Sequence, residues 1–407
     1  MSTTLDTRDT PDTLAAPDTR TGRTRPVLVL ALLFLATFTL GYSEELVVGV
    51  LDLIAADLRV PIPAAGGLVT AYAIGLAIGG PILTALTIRI NRKSILLATL
   101  VVFLVATLLP LVVDNLSLFF LTRGIAGASG GLFIAAALIT ATAIVPAERT
   151  GRALSAVIAG FMVATAFGVP LGTLVGQALG WRGAFAAVLV LALPVTAAIA
   201  VAVPAVPGTS GAAGQARYAF APRVLAMLGL MMLVFTAISS AFTYIVPFLH
   251  DVTGVSGALV SVFLLAYGAA TAVGSFAGGR FADRAAARTV TSATIGLAAG
   301  LVALYLVGAS APLVAAALLI WGVFAFGMVP SLQYRIVELA GPGGELAASL
   351  PASAANAGIA LGAVAGGAAL GTFGAAAAVL TALVIATLAI PAALATSRLR
   401  PPHAPVS

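Results

Sequence analysis

The 407-residue sequence has no cysteine, only two histidines and only 8% charged residues. Without cysteine there is no disulfide and no thiolate metal site. The histidines, His250 and His403, are far apart, which argues against a histidine metal centre. Lysine occurs once, at Lys93. Soluble domains carry about 25% charged residues, so this shortage of charge excludes a soluble chain. No histidine cluster, nucleophile motif or phosphate loop stands out, which leaves no basis for an enzyme. What fills the chain is apolar: 61% of it is hydrophobic, with 43 glycines. This is the composition of a polytopic membrane protein.

The net charge of +6 would suit a nucleic-acid binder. The basic residues instead fall between apolar runs, where they act as topology signals. A span needs about 20 apolar residues. The runs predict twelve spans, near 27–50, 64–87, 94–113, 118–143, 153–176, 184–203, 223–247, 256–278, 289–308, 312–334, 348–370 and 374–395. Residues 1–26 read as a disordered tail without a signal peptide. Residues 27–203 then form one six-helix half and 223–396 the other, joined by a Pro/Gly-rich linker at 204–222 and followed by a tail at 397–407. With the N-terminus inside, only Arg59 and Arg182 fall in outer loops, and Arg123 alone lies within a span. The bias predicts that both termini and the linker are cytoplasmic.

The halves echo each other. Gly168-Val-Pro170-Leu-Gly172 in span 5 and Gly362-Ala-Val-Ala-Gly366 in span 11 are 194 residues apart. Such repeats are typical of secondary transporters. Gly168, Gly172 and Gly176 recur every four residues and make one smooth helix face, open to close approach by another helix. Pro170 within it removes a backbone donor and favours a kink.

The costliest residues are Glu44 and Glu45 in Gly41-Tyr42-Ser-Glu-Glu-Leu46. A charge at the bilayer centre costs roughly 3 kcal/mol on insertion scales. Two adjacent carboxylates inside a span therefore point to a proton site or a counter-charge for substrate; the alternative is that one of them reaches interfacial water. Glu44 and Arg123 lie at similar depth, roughly 10 Å below the outer surface at 1.5 Å per residue. That supports a pairing of span 1 with span 4. Neighbouring helical residues point about 100° apart, so one glutamate can pair while the other faces a cavity. A carboxylate balanced between a cation and a dry surrounding can load and release a proton. A static ion pair joining the two spans is the alternative.

With its trailing Gly180-Trp181-Arg182, span 5 resembles the antiporter motif of the twelve-span drug:proton antiporters of the major facilitator superfamily. The resemblance extends to Phe242-Thr-Tyr244-Ile-Val-Pro, Pro330-Ser-Leu-Gln333-Tyr-Arg335 and Asn356-Ala-Gly-Ile-Ala-Leu-Gly362, and is strongest to the bacterial chloramphenicol- and arabinose-type exporters. It implies an all-α membrane protein of twelve helices in two six-helix bundles around a central cavity lined by spans 1, 4, 7 and 10. It also implies efflux of a drug or metabolite by proton antiport in the bacterial inner membrane. No cofactor beyond the proton gradient, no nucleic acid and a monomer are expected. Glu44 matches the family glutamate and Arg123 the family arginine, whereas Glu45 stands where the branch has an aromatic and Asp52 where it has a proline. Tyr42, Phe242, Tyr244, Trp321, Gln333 and Asn356 become the substrate candidates. Tyr267 and Phe324 are further aromatic cavity candidates.

The family's cytoplasmic signature after span 2 is altered. Thr84-Ala-Leu-Thr-Ile88-Arg89-Ile-Asn91-Arg92-Lys93 keeps the basic residues, but Ile88 replaces the aspartate. The second half keeps Gly279-Arg-Phe-Ala-Asp283-Arg284. Arg89, Arg92, Asp283 and Arg284 are the gating candidates, together with Gly168, Pro170, Gly172 and Gly176. An exporter of sugars or other polar metabolites, a proton-independent facilitator and a transport-dead sensor are the rival readings.

Overall fold

The structure is a computed structural model describing residues 26–207 and 216–401. Most of the expected N-terminal tail, the middle of the linker and the end of the C-terminal tail lie outside the described residues. Among the described residues every regular element is helical. Span 1 is Pro26–Gly49, span 2 Ile62–Leu86, span 3 Arg92–Val112 and span 4 Leu116–Ala143. Spans 5 and 6 run through Thr150–Ala202 and part at Gly180, whose φ of 72° and ψ of 170° suit glycine. Span 7 is Pro222–Asp251, span 8 Ala258–Ala282, span 9 Arg284–Leu306, span 10 Ala311–Gly343, span 11 Leu350–Phe373 and span 12 Ala375–Ser397. A short helix, Leu51–Leu58, follows span 1.

Local chemistry sets several of these boundaries. The side chains of Asn91 and Asn115 accept hydrogen bonds from Lys93 N and Leu118 N, each at 2.9 Å, and so cap spans 3 and 4. Span 2 widens to a π-helical turn at Gly75–Gly79, just before Pro81, which has no N–H to give. Span 7 breaks between Phe242 and Ile245, and span 10 breaks at Met328. Pro247 and Pro330 follow these breaks closely.

Lipid removes the usual hydrophobic drive between helices, so close packing carries their association. Glycine supplies it here. A Cβ built on Gly168, Gly172 or Gly176 would meet Glu45 Cβ at 2.6 Å, Leu46 Cα at 2.9 Å and Val50 Cγ1 at 2.4 Å. Span 1 therefore lies on the glycine face of span 5. Span 11 treats span 7 the same way: Cβ atoms on Gly358, Gly362 and Gly366 would come within 2.4 Å of the carbonyls of Met232, Thr236 and Ser240. Spans 2 and 4 and spans 8 and 10 pair alike, through Gly127 against Tyr72 O and Gly278 against Gly327 O. Large apolar side chains cover the outer wall, including Phe276 and Val201, more than four-fifths exposed.

The two bundles meet along spans 2 and 11 and along spans 5 and 8. Pro63 lies against Gly367 and Gly371, Gly66 against Tyr244, and the Thr70 hydroxyl donates to Ala360 O at 3.5 Å. On the other side Gly268 abuts Ala166 O, and Gln177 Nε2 donates to Gly257 O at 3.0 Å. These contacts run from the end holding the span 1–2 and 7–8 connections to about mid-span. That end is called the closed end below.

Candidate functional site

Arg123 is the buried cation of the membrane core, with 3% of its surface exposed. Its Nη1 donates to Ser43 O at 3.0 Å and to Ser43 Oγ at 3.2 Å. Its guanidinium lies 4.3 Å from the centre of the Tyr72 ring, a cation–π contact. Nε and Nη2 have no hydrogen-bond partner, and neither has Glu44 Oε2. The direct Glu44–Arg123 ion pair suggested by equal depth is absent among the described residues. Stacking on Tyr72 aims the guanidinium at the turn of Ser43, one residue before Glu44. The arginine does reach span 1, and Glu44 lies within its electrostatic range.

The two glutamates point apart, as adjacent helical residues must. Glu44 lies within electrostatic range of Arg123. Glu45 packs on Gly168 of span 5 and reaches the Thr165 hydroxyl. That hydroxyl also lies 3.2 Å from Phe161 O, to which it donates. Both glutamates are half-buried.

Opposite, in the second bundle, three aromatic rings form one cluster. Phe242 and Tyr267 stack at 4.9 Å between centroids, Tyr267 and Trp321 lie 4.9 Å apart, and Phe242 meets Trp321 edge-on at 6.2 Å. Tyr267 and Trp321 are buried, yet Tyr267 Oη and Trp321 Nε1 have no partner. Buried polar atoms without partners are uncommon and cost about 1–3 kcal/mol each. These two donors face no acceptor among the described residues.

The remaining substrate candidates scatter. Tyr42 is buried and stacks on Phe38, with centroids 6.2 Å apart. Tyr244 wedges between Gly66 and Gly367, and its hydroxyl donates to Ala363 O at 2.6 Å. That hydroxyl is therefore bonded within the second bundle, at the point where it also meets Gly66 of the first. Asn356 is buried, with Nδ2 donating to Ala352 O at 3.0 Å and Oδ1 without a partner. Gln333 is exposed, about 18 Å along span 10 from Trp321 at 1.5 Å per residue. Phe324 is just over one-third exposed and lies against Gly296 of span 9, away from the ring cluster.

At the end opposite the closed one, Arg92 is buried. Its Nη2 donates to Ile88 O at 2.7 Å, and its backbone N–H donates to Val206 O at 2.8 Å. The backbone carbonyl of Ile88 thus receives the arginine where a carboxylate side chain is missing. Arg89 and Arg284 are exposed. Asp283 lies between spans 8 and 9, but its side chain lies outside the described residues. His250 sits at the exposed end of span 7 with Nδ1 3.0 Å from Asp251 Oδ1.

Sequence reasoning did not find Tyr72, Ser43 or Thr165 as partners of the charged groups. Tyr72 sits in a plain apolar run, and helix rotation alone brings its ring under Arg123. Nor did it find the closed-end staple. There Arg182 bonds both Asp57 and Asp114 and lies over the Trp181 ring at 4.4 Å, while Trp181 Nε1 donates to Asp57 Oδ2 at 2.9 Å.

Comparison with known proteins fits this architecture. A model of the Major Facilitator Superfamily matches residues 33–350. The chain is 33% identical to the uncharacterized MFS-type transporter YtbD of Bacillus subtilis, covering 82% of this chain and 86% of that one. It is also 33% identical to a chloramphenicol resistance protein of Streptomyces lividans, over 82% and 87%. The inner membrane transport protein YdhP of Escherichia coli K12 is 29% identical over 84% and 87%. Among solved structures, a bacterial homolog of the human lysosomal transporter Spinster, inward-facing and occupied, superposes with a TM-score of 0.76 at 16% identity, over 92% of this chain and 97% of that one.

Proposed function

Since the chain belongs to the major facilitator superfamily, a family of transporters rather than enzymes, we propose that it exports a small amphipathic compound in exchange for protons by alternating access. The observation that carries this reading is the acidic pair in span 1, one member within electrostatic range of a buried arginine and the other packed on the glycine face of span 5. A passive pore has no need of such costly groups. The arginine distribution supports a topology with both termini in the cytoplasm, in a bacterial inner membrane, and the working unit of this reading is a monomer. The closed end is then the outer one, and the described state is open towards the cytoplasm.

In this reading Glu44 and Glu45 carry protons and Arg123 tunes them. Phe242, Trp321 and Tyr42 form the apolar wall for substrate. The free Nε1–H of Trp321 and the Oδ1 of Asn356 offer polar contacts, and Gln333 meets substrate near the cytoplasmic mouth. Tyr244 closes the outer seam and reaches substrate only when that seam parts. Gly168, Pro170, Gly172 and Gly176 shape the rocking helix, while Arg89, Arg92, Asp283 and Arg284 govern the inner end. The Streptomyces relative makes phenicols the first cargo to try.

Efflux from proteoliposomes across an imposed pH gradient, with phenicols, dyes and sugars as cargo, tests the reading. Gradient-driven flux of an amphipathic cargo that falls at least tenfold in the Glu44→Gln, Glu45→Gln double variant is the expected result. Equal flux with and without the gradient makes the protein a facilitator. Flux of sugars alone replaces the cargo class.

A further inference from the structure

Spans 7, 8 and 10 each give one ring to the cluster of Phe242, Tyr267 and Trp321. Each ring lies nine or ten residues from the closed end of its span, at Asp251, Ala258 or Ala311. At 1.5 Å per residue that is roughly 14 Å, about half of a 30 Å hydrocarbon core. The cluster therefore sits near mid-membrane, the depth at which transporters hold their cargo.

Two of these rings carry a donor that the protein leaves unused, Tyr267 Oη and Trp321 Nε1. Comparable buried rings elsewhere are satisfied. Trp181 Nε1 donates to Asp57 Oδ2 at 2.9 Å, Tyr244 Oη to Ala363 O at 2.6 Å, and Tyr72 Oη, on the matching position of the first bundle, to Leu40 O at 3.4 Å. The two orphaned donors are instead neighbours, on rings whose centroids are 4.9 Å apart. Their surroundings are also uncharged. The acidic residues of the second half, Asp251, Asp283, Glu338 and Glu345, lie at or near span ends, and its arginines lie toward the ends opposite the closed one.

We propose that Tyr267 Oη and Trp321 Nε1 form a donor pair that selects an uncharged aromatic cargo bearing an acceptor oxygen, a carbonyl, nitro or sulfonyl group, whose ring packs on Phe242. The idea rests on the transport reading and names the cargo chemistry of its binding wall. Tyr267 and Trp321 are its specificity-determining residues.

One carbonyl oxygen has two lone pairs and can accept from both donors. A hydrocarbon of the same shape fills the space and leaves both donors unpaired, and a site built to hydrogen-bond rejects such an analogue strongly. An organic cation gains from the ring faces but brings no acceptor to either donor and meets no carboxylate of this bundle at that depth. An anion meets no arginine there. A neutral acceptor satisfies the donors without a buried counter-charge.

The two tryptophans give two indole N–H signals by NMR in the full chain, isotopically labelled at tryptophan and held in nanodiscs. Trp321→Phe assigns the Trp321 signal by its loss, and Trp181→Phe assigns it as the one that remains. Fluorenone is titrated against fluorene, the same flat ring system without the oxygen. Fluorenone should move the Trp321 signal downfield to saturation and bind at least tenfold tighter than fluorene. Tyr267→Phe should weaken fluorenone roughly threefold to tenfold and leave fluorene unchanged. It should melt no lower than the parent, because the lost hydroxyl had no partner. Equal affinities for the two probes overturn the pair, as does tighter binding of tetraphenylphosphonium, a cation without an acceptor. Fluorenone binding unaltered by Tyr267→Phe overturns it too. A saturable fluorenone shift in a protein without gradient-driven flux overturns the antiport reading and leaves the pair standing. Gradient-driven flux with an unmoved Trp321 signal does the reverse.

Discussion

The two bundles are built by one packing scheme and carry different chemistry. Glu45 lies against Gly168, and Ser239 lies against Gly362, each with its β-carbon at the contact. Both members of the second pair sit 194 positions after those of the first. The hydroxyl of Thr37 donates to Val157 O at 2.8 Å across spans 1 and 5, and that of Ser239 donates to Ile359 O at 3.0 Å across spans 7 and 11. Tyr72 and Tyr267 are likewise matched, each lending its carbonyl to a glycine on the partner helix, Gly127 or Gly322. Yet Tyr72 stacks on a guanidinium, whereas Tyr267 stacks on Phe242 and lies against Trp321. Glycine and hydroxyl positions thus set the shared frame. A few large substitutions on that frame make one bundle ionic and the other aromatic. On the proposed antiport reading, proton handling and substrate recognition need opposite surroundings, charge with water access against a dry wall, and separate bundles would supply both.

The most severe way to probe the shared frame is to fill its glycines. Gly366→Val would drive a side chain into Ser240 O, 2.1 Å from the new Cβ, and Gly172→Val into Leu46 Cα at 2.9 Å. Overpacking typically costs about 1–3 kcal/mol, and more where backbone cannot yield. Both variants should lose most of their monodisperse yield in detergent, with Gly366→Val the worse because its Cβ would come closer to the facing backbone. Equal yields to the parent, read by size-exclusion fluorescence, would show that the helix pairs are not locked by these contacts.

A second change makes the first bundle resemble the other. The span 10 residue matching Arg123 is Leu318, fully buried. Arg123→Leu removes a charge whose Nε and Nη2 are unpartnered, so the fold should survive with an unfolding temperature equal to or above the parent's. Gradient-driven flux should fall at least tenfold. A thermal melt combined with flux separates the outcomes: a destabilised protein would mean that the guanidinium is a structural strut.

These contrasts also explain what sequence alone reveals. Span positions, the repeat and the glycine face of span 5 are legible because run length and four-residue spacing are local properties. The depth of Arg123 was legible too, and it led to Ser43 rather than to Glu44 because depth does not fix rotation about the helix axis. Tyr244 reads as a substrate contact from sequence, and its hydroxyl donates to Ala363 O of span 11 within its own bundle. Such pairings depend on how two helices are turned toward each other. No spacing within one helix encodes that.

The smallest effect expected concerns the closed end, where the bundles also differ. In the first, Arg182 joins the loop helix Leu51–Leu58 to the span 3–4 turn through Asp57 and Asp114. In the second, His250 and Asp251 are exposed neighbours on one helix and tie nothing together. Asp57 lies outside the spans, and the hydrogen bonds from Trp181 and then Arg182 hold its carboxyl below the usual range. A carboxyl with a lowered folded-state pKa stabilises the fold above its unfolded value, near 3.9. That stabilisation is lost as pH falls through the folded value. Arg182 and Asp57 are 37% and 45% exposed, so solvent screens the pair and about 1 kcal/mol or less is at stake. Asp57→Asn should therefore melt slightly below the parent at pH 7, and the gap should close as pH drops below about 4. The matching change in the other bundle, Asp251→Asn, should leave the melting temperature unmoved at either pH. A gap for Asp57→Asn that persists at low pH would mean that the Trp181 contact, which an amide oxygen also accepts, is not what the charge was holding.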